Sequence, residues 1–248
     1  MKKTLVFFAA GALFAATTFA QNSFFENYVY QSWNSFGNLT GTTATGLIQT
    51  KDGFINIGTY EGLSRFDGVQ FTTLRRGKDN DLTFASARVL LQDSEENLWV
   101  GSNDEGVQKI SSSGNHTWTT QNGLPNNSVR AIVEDKKQNI WVGTSAGVIC
   151  LTHDKHLINP QFEAGTVTKG VLCTSLFCDN SGRIWLATEN ERGFFTFTNG
   201  LFRAVNFMED FGDYTITAIS QDQRGNFWLG LGRSEEHTSE LQSLAYLV

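Results

Sequence analysis

Short apolar runs recur along this chain, and each is followed by a polar turn and then by a second apolar run. In four copies the second run reads Leu/Ile/Phe-Trp-Val/Leu-Gly or a close variant. Its small residue recurs at Gly58, Gly101, Gly143, Ala187 and Gly230, at spacings of 43, 42, 44 and 43 residues. A period held this closely over five copies predicts a repeat architecture in which each unit is one supersecondary element.

The five copies share a layout that predicts four short antiparallel strands. The polar turn begins with Asp in four copies, and three positions later it has glycine or a polar residue suited to a turn. Runs rich in β-forming residues follow the turn. The copies are residues 50–62, 93–106, 135–147, 179–193 and 222–232. Four strands in about 43 residues are typical of one propeller blade.

We therefore predict an all-β chain: a β-propeller of four-stranded blades, incomplete at about four and a half blades. The ring is not expected to close, because the last unit ends after its second strand, at Gly232. Two sets of residues are predicted to pack neighbouring blades. The tryptophans fill the space between adjacent sheets, and the glycines allow the chains of those sheets to approach closely. They are Trp99, Trp141, Trp185 and Trp228, with Gly58, Gly101, Gly143 and Gly230. The first copy departs from the pattern, with Asn56 at the tryptophan position and Thr50 at the aspartate position.

The chain divides into three parts. Residues 1–20 have two lysines, an apolar core and small residues before Gln21, which predicts an N-terminal signal helix, with an uncleaved anchor as the alternative. Residues 21–232 form the partial propeller. Residues 233–248 break the repeat, and RSEEHTSELQS (233–243) reads back to a nucleotide string that resembles a sequencing-library adapter. The hypothesis is that this tail is not native.

Charge and the absence of catalytic motifs reduce the number of function classes that fit the chain. The net charge is -6 and no basic run follows residue 3, which argues against a nucleic acid partner. The chain has no GxSxG, P-loop or dinucleotide motif, and His153 and His156 do not form HExxH. We therefore predict no catalytic residue, no metal and no cofactor. Cys173 and Cys178 are predicted to lie on one strand with their Cα atoms about 16 Å apart, which is too far for a disulfide. Cys150 is predicted to lie on another strand.

The stretch from Tyr28 to Gly232 resembles the two-component regulator propeller family. The resemblance is carried by NGLPNNSVRAIVEDKKQNIWVGTSAGV (122–148) and GLSRFDGVQF (62–71). It implies the periplasmic sensor region of a hybrid histidine kinase or diguanylate cyclase, whose complete form is anchored in the inner membrane and dimeric. No kinase or cyclase motif occurs in these residues. The fragment itself is therefore predicted not to be an enzyme.

A ligand is expected where the loops between strands 2 and 3 meet those between strand 4 and the next strand 1. These loops open on one face of a propeller, near its axis. The candidates are Tyr60, Glu61, Asn103, Asp104, Glu105, Lys169, Glu189, Glu191 and Arg192. The predicted partner is a small solute or a saccharide. A protein-interaction scaffold and a propeller lyase or hydrolase are the alternative functions.

Overall fold

The computed structural model describes residues 39–74, 82–164, 170–189, 193–205, 214–233 and 244–247. The predicted signal helix lies outside these residues, as do the candidates Lys169, Glu191 and Arg192. All regular secondary structure in the described part is β-strand. No helix in that part has the length and hydrophobicity needed to span a membrane.

Twenty strands form five consecutive sheets in the described residues, and all of their pairings but one are antiparallel. The first sheet has β1 (Ala44–Gln49), β2 (Ile55–Thr59), β3 (Gly62–Phe66) and β4 (Phe71–Leu74). The second has β5 (Val89–Gln92), β6 (Leu98–Gly101), β7 (Val107–Ile110) and β8 (His116–Trp118). The third has β9 (Val129–Glu134), β10 (Ile140–Thr144), β11 (Gly147–Leu151) and β12 (Leu157–Ile158).

The fourth and fifth sheets depart slightly from the four-stranded pattern. The fourth has β14 (Cys173–Cys178), β15 (Ile184–Thr188), β16 (Phe194–Thr198), β17 (Leu201–Ala204) and an added outer strand, β13 (Gln161–Phe162), parallel to β17. The fifth has β18 (Tyr214–Gln221), β19 (Phe227–Arg233) and β20 (Leu244–Leu247). The sequence analysis ended this last unit after two strands. The third strand, β20, comes from the tail and pairs antiparallel with the edge of β19 that would otherwise be free.

The sheets stand side by side in chain order, with the first strand of each innermost. Thus β1 lies against β5, β5 against β9, β9 against β14, and β14 against β18. Four hydrophobic clusters fill the spaces between successive sheets. This arrangement confirms the predicted all-β propeller of four-stranded blades.

The tryptophans pack toward the next sheet and also hold the turn of their own sheet. Trp99 and Trp141 are each only 3% exposed. The indole N–H of Trp99 donates to Asp93 Oδ2 at 2.7 Å, and that of Trp141 donates to Asp135 Oδ2 at 2.9 Å. Trp228 is 36% exposed, because no further sheet covers it in the described part of the chain.

The turn between strands 1 and 2 of each sheet has one recurring backbone conformation. The residue three positions after the Asp or Thr has a positive φ in all five copies. These residues are Gly53, Glu96, Gln138, Gly182 and Gly225, with φ of 88°, 69°, 63°, 85° and 89°. This left-handed conformation explains why glycine occupies the position in three copies.

The glycines of the second strands lie where the next sheet comes closest. A Cβ at Gly58 would be 2.6 Å from the carbonyl oxygen of Ala87, and one at Gly143 would be 2.3 Å from Cys173 Sγ. Ala87 lies just before the innermost strand β5, and Cys173 is the first residue of β14. Gly230 differs, since its nearest neighbour is Ala218 Cβ of the same sheet, at 3.2 Å.

Candidate ligand site at the axial face

Two kinds of loop form the axial face. The turns between strands 2 and 3 are hydrogen-bonded to the connections that lead into the first strand of the same sheet. The Asn103 N–H donates to Ser86 Oγ at 3.1 Å, and the Glu189 N–H donates to the Leu172 carbonyl at 3.0 Å. The predicted meeting of these loops on one face is therefore seen in the second and fourth sheets.

Each innermost strand carries one residue that is set apart from the regular pairing. The register of the first strand shifts at Thr45, Arg130, Thr174 and Thr217 in four of the sheets. Arg88, directly before the Val89–Gly101 pair, holds the corresponding place in the second sheet. These five residues are 43, 42, 44 and 43 residues apart, the spacing of the repeat itself. A β-bulge redirects a side chain, so the axis receives one such side chain from each blade.

Threonine at this position ties one blade to the next. Thr45 Oγ1 donates to the Ala87 carbonyl, and Thr174 Oγ1 donates to the Ile216 carbonyl at 2.6 Å. Each acceptor lies one residue before the corresponding position of the following sheet. The threonine therefore has a structural role that the repeat alone explains.

The two arginines make a different set of contacts. Arg88 Nη1 donates to Asn103 Oδ1 at 2.9 Å, and Arg130 Nε donates to Ser145 Oγ at 3.0 Å. Asn103 and Ser145 hold equivalent places in successive turns, so the two guanidinium groups are held alike, one blade apart. Burial and the nearby Arg130 lower the pKa of Arg88, while Tyr60 raises it. A guanidinium nevertheless stays charged at physiological pH.

Neither arginine pairs with a carboxylate in the described residues, where all ion pairs involve other side chains. Both Arg88 and Arg130 are half-buried. The site therefore combines two cations held by neutral partners with an exposed phenol, Tyr60, which is 57% exposed.

The structure brings only some of the predicted site residues together. Asn103 contacts Arg88, and Tyr60 influences it from the neighbouring sheet. Glu105 Oε2 accepts a 2.6 Å hydrogen bond from the Ala85 N–H and so holds a connection in place. The remaining described candidates are exposed on their loops: Glu61, Asp104 and Glu189.

Sequence reasoning missed Arg88 and Arg130. The available signal was a charged residue inside each of two apolar runs, ARVLLQ (87–92) and SVRAIVE (128–134).

Comparison with known proteins identifies the repeat. Residues 123–146 match the sequence profile of the family described as Two component regulator propeller. An extracellular domain assigned to a hybrid two component system of B. thetaiotaomicron is similar in structure, with 25% identity and a TM-score of 0.65. The resemblance to the two-component regulator propeller family is confirmed.

The propeller spans only part of these relatives. The match covers 78% of this chain and 27% of the first relative. A second extracellular domain assigned to a B. thetaiotaomicron hybrid system is 19% identical, with a TM-score of 0.53, and the match covers 83% of this chain and 33% of that one. Virginiamycin B lyase from Staphylococcus aureus shares the fold at 13% identity, with a TM-score of 0.59 over 82% and 69% of the two chains. Among curated protein sequences, none matches the chain.

The opposite face of the propeller carries grooves between the blades. A cavity of about 750 Å³ lies between the second and third sheets, where Trp118 stacks on Trp99 with ring centroids 5.2 Å apart. His116 and His153 line it. A smaller cavity of about 490 Å³ lies between the third and fourth sheets, lined by equivalent residues. Because equivalent cavities recur between successive pairs of sheets, we interpret them as a consequence of the way the blades diverge at this face.

Proposed function

We propose that this chain is the ligand-sensing propeller of an extracytoplasmic signal-transduction receptor. Its proposed location is the periplasm, and its proposed ligand is a small solute or a saccharide. The proposed complete protein is anchored in the membrane and dimeric. The observation that carries the ligand-binding role is the placement of Arg88 and Arg130 at equivalent positions of two innermost strands, β5 and β9, that lie against each other. Each guanidinium is hydrogen-bonded to a neutral side chain of its own sheet, and Tyr60 of the preceding blade raises the pKa of Arg88.

A binding role explains features that packing does not. Packing between blades uses the tryptophans, the small residues and the threonines, and each of these recurs at one position in at least three of the five copies. The two half-buried arginines break that pattern, because each bonds to a neutral side chain of its own sheet instead of to the next blade. Polar groups that converge from several loops onto one face are typical of a ligand site.

A catalytic role has less support. The described histidines are His116, which begins β8, and His153 and His156, which lie on the loop between β11 and β12; all three are at the opposite face from Arg88. No group of three or more His, Cys, Asp or Glu side chains in the described residues is placed to hold a metal ion. The similarity to the lyase is at the level of the fold. We therefore propose a binding module rather than an enzyme.

Thermal unfolding of the purified chain tests the proposal. A ligand present at 100 times its Kd stabilises the folded state by about 2.7 kcal/mol. For a propeller of this size, that shift corresponds to a rise in Tm of about 5–11 °C. A panel of neutral and charged mono- and oligosaccharides, amino acids and nucleosides should contain a solute that raises Tm. If no solute in the panel changes Tm, the sensing proposal fails and a protein-interaction scaffold is favoured.

A further inference from the structure

We infer that Arg88 and Arg130 form a subsite for an oxyanion, and that the ligand carries a carboxylate, sulfate or phosphate group. This inference rests on the proposed ligand-binding function and specifies the chemistry of the same site.

The repeat supplies the first argument. The bulge position has threonine in the first, fourth and fifth sheets, and in the first and fourth its hydroxyl bonds to a carbonyl of the next blade. Arginine replaces it at residues 88 and 130 and reaches the turn of its own sheet instead. A small hydroxyl side chain is therefore sufficient for the fold at this position. Two arginines in adjacent blades are a departure that blade packing does not require.

Electrostatics supplies the second argument. Arg88 and Arg130 lie at equivalent positions of the adjacent innermost strands β5 and β9, and the charge of Arg130 lowers the pKa of Arg88. Both side chains are half-buried. Such a pair is unfavourable unless an anion lies between its members. Within the described residues, neither arginine has a carboxylate partner to supply that charge.

Hydrogen-bonding capacity supplies the third argument. A guanidinium has five N–H donors, and Arg88 and Arg130 each use one of them on a neutral side chain. The remaining donors form the planar fork that matches the oxygens of a carboxylate, sulfate or phosphate. Tyr60, an exposed residue of the neighbouring blade whose charge influences Arg88, adds a hydroxyl group that can bond to the ligand bearing the anion.

Calorimetric titration of the full chain tests the inference with four probes that share one sugar. Glucuronate, glucose 6-phosphate and glucose 6-sulfate carry the anion, and glucose does not. Inorganic sulfate and phosphate probe the subsite alone, with ionic strength held constant by sodium chloride. At least one charged probe or inorganic anion should bind, and it should bind about tenfold or more tightly than glucose.

The variants Arg88→Thr and Arg130→Thr introduce the residue that the other blades have at this position, so both should fold. Each should weaken binding of the charged probe by about tenfold to a hundredfold. Arg224→Thr is the matched control. Arg224 is an exposed arginine in the turn between β18 and β19, on the opposite face, so the variant changes the net charge equally and should leave binding unchanged.

Three results would overturn the inference. The first is binding of the charged probe by the double variant Arg88→Thr/Arg130→Thr that equals binding by the wild type. The second is a loss of binding in Arg224→Thr as large as the loss in the arginine variants. The third is the absence of binding of any charged probe at millimolar concentration. Binding of a neutral solute that the arginine variants do not affect would reject the oxyanion subsite and leave the sensing function standing. If the double variant does not fold, Arg88→Lys decides: it keeps the charge and removes the fork, so it should retain weaker binding of inorganic phosphate.

Discussion

Substituting alanine for Gly101 should destabilise the propeller by about 1–2 kcal/mol. A Cβ at this residue would lie 2.6 Å from Val129 Cγ1, 3.0 Å from Val129 Cβ and 3.3 Å from Ile132 Cδ1. Because these atoms belong to the innermost strand of the next blade, the methyl group would force two sheets apart. Overpacking of this kind costs about 1–3 kcal/mol, and alanine returns about 0.4–1 kcal/mol by restricting the unfolded chain.

Two matched variants separate this clash from a general effect of alanine. Gly230→Ala meets only Ala218 Cβ of its own sheet, at 3.2 Å, and should change stability by less than Gly101→Ala does. The double variant Gly101→Ala/Val129→Ala removes Val129 Cγ1, the atom closest to the new methyl group. Its destabilisation should therefore be smaller than the sum of the two single effects.

Urea unfolding followed by tryptophan fluorescence measures these differences as changes in midpoint at constant slope. The reasoning would be refuted if Gly101→Ala were as stable as the wild type, or if Gly230→Ala lost as much. Strict additivity in the double variant would also contradict it, because the two residues would then not be in contact. The fourth blade already has Ala187 at this position, fully buried, which shows that the packing adapts to alanine where the facing residues differ.

Three further predictions concern single groups. Burial raises the pKa of Asp179, but hydrogen bonds outweigh it and hold that pKa well below the usual range. The stabilisation is therefore complete above pH of about 4 and is lost as the pH falls through the folded-state pKa, and Asp179→Asn should flatten the acid limb of a pH–stability curve. Gln138→Gly should raise the unfolding free energy by about 0.5–1 kcal/mol in urea, because φ is 63° there. Burial raises the pKa of Cys150 and Cys173 to about 12, so both free thiols should resist iodoacetamide at pH 8 until the protein unfolds.

The repeat could be predicted from the sequence because its recurring residue types each have one main structural role in a β-sheet. Tryptophan in a short β-forming run and glycine two positions later both report on packing between sheets. The sequence analysis gave the tryptophan only that packing role, whereas the structure adds a hydrogen bond to the aspartate six residues earlier. The signal was present, because the first copy replaces both partners at once. There the Asn56 side chain donates to Thr50 Oγ1 at 3.0 Å, which preserves the link.

Strand pairing outside the repeat could not be predicted in the same way. The two-residue strand β13 leaves the third blade and pairs with β17 of the fourth. The strand β20 pairs with β19 from a segment that the repeat does not include. Both segments are short, and an exposed sheet edge accepts any chain that offers backbone donors and acceptors. Pairing of this kind depends on which edge is free, and a periodic pattern does not contain that information.

The arginines at the axis were missed for a different reason, and that reason bears on function. A periodic pattern shows what the copies share, so it finds the residues that build the scaffold and hides those that differ between copies. The bulge in the innermost strand is shared by the blades and keeps one side chain at the axis whatever its identity. Because the backbone is fixed, the side chain at that position is free to change without loss of the fold. Thr45 and Thr174 use the position for packing, while Arg88 and Arg130 leave it available for an anion, so the chemistry of the site follows from the copies that depart from the repeat.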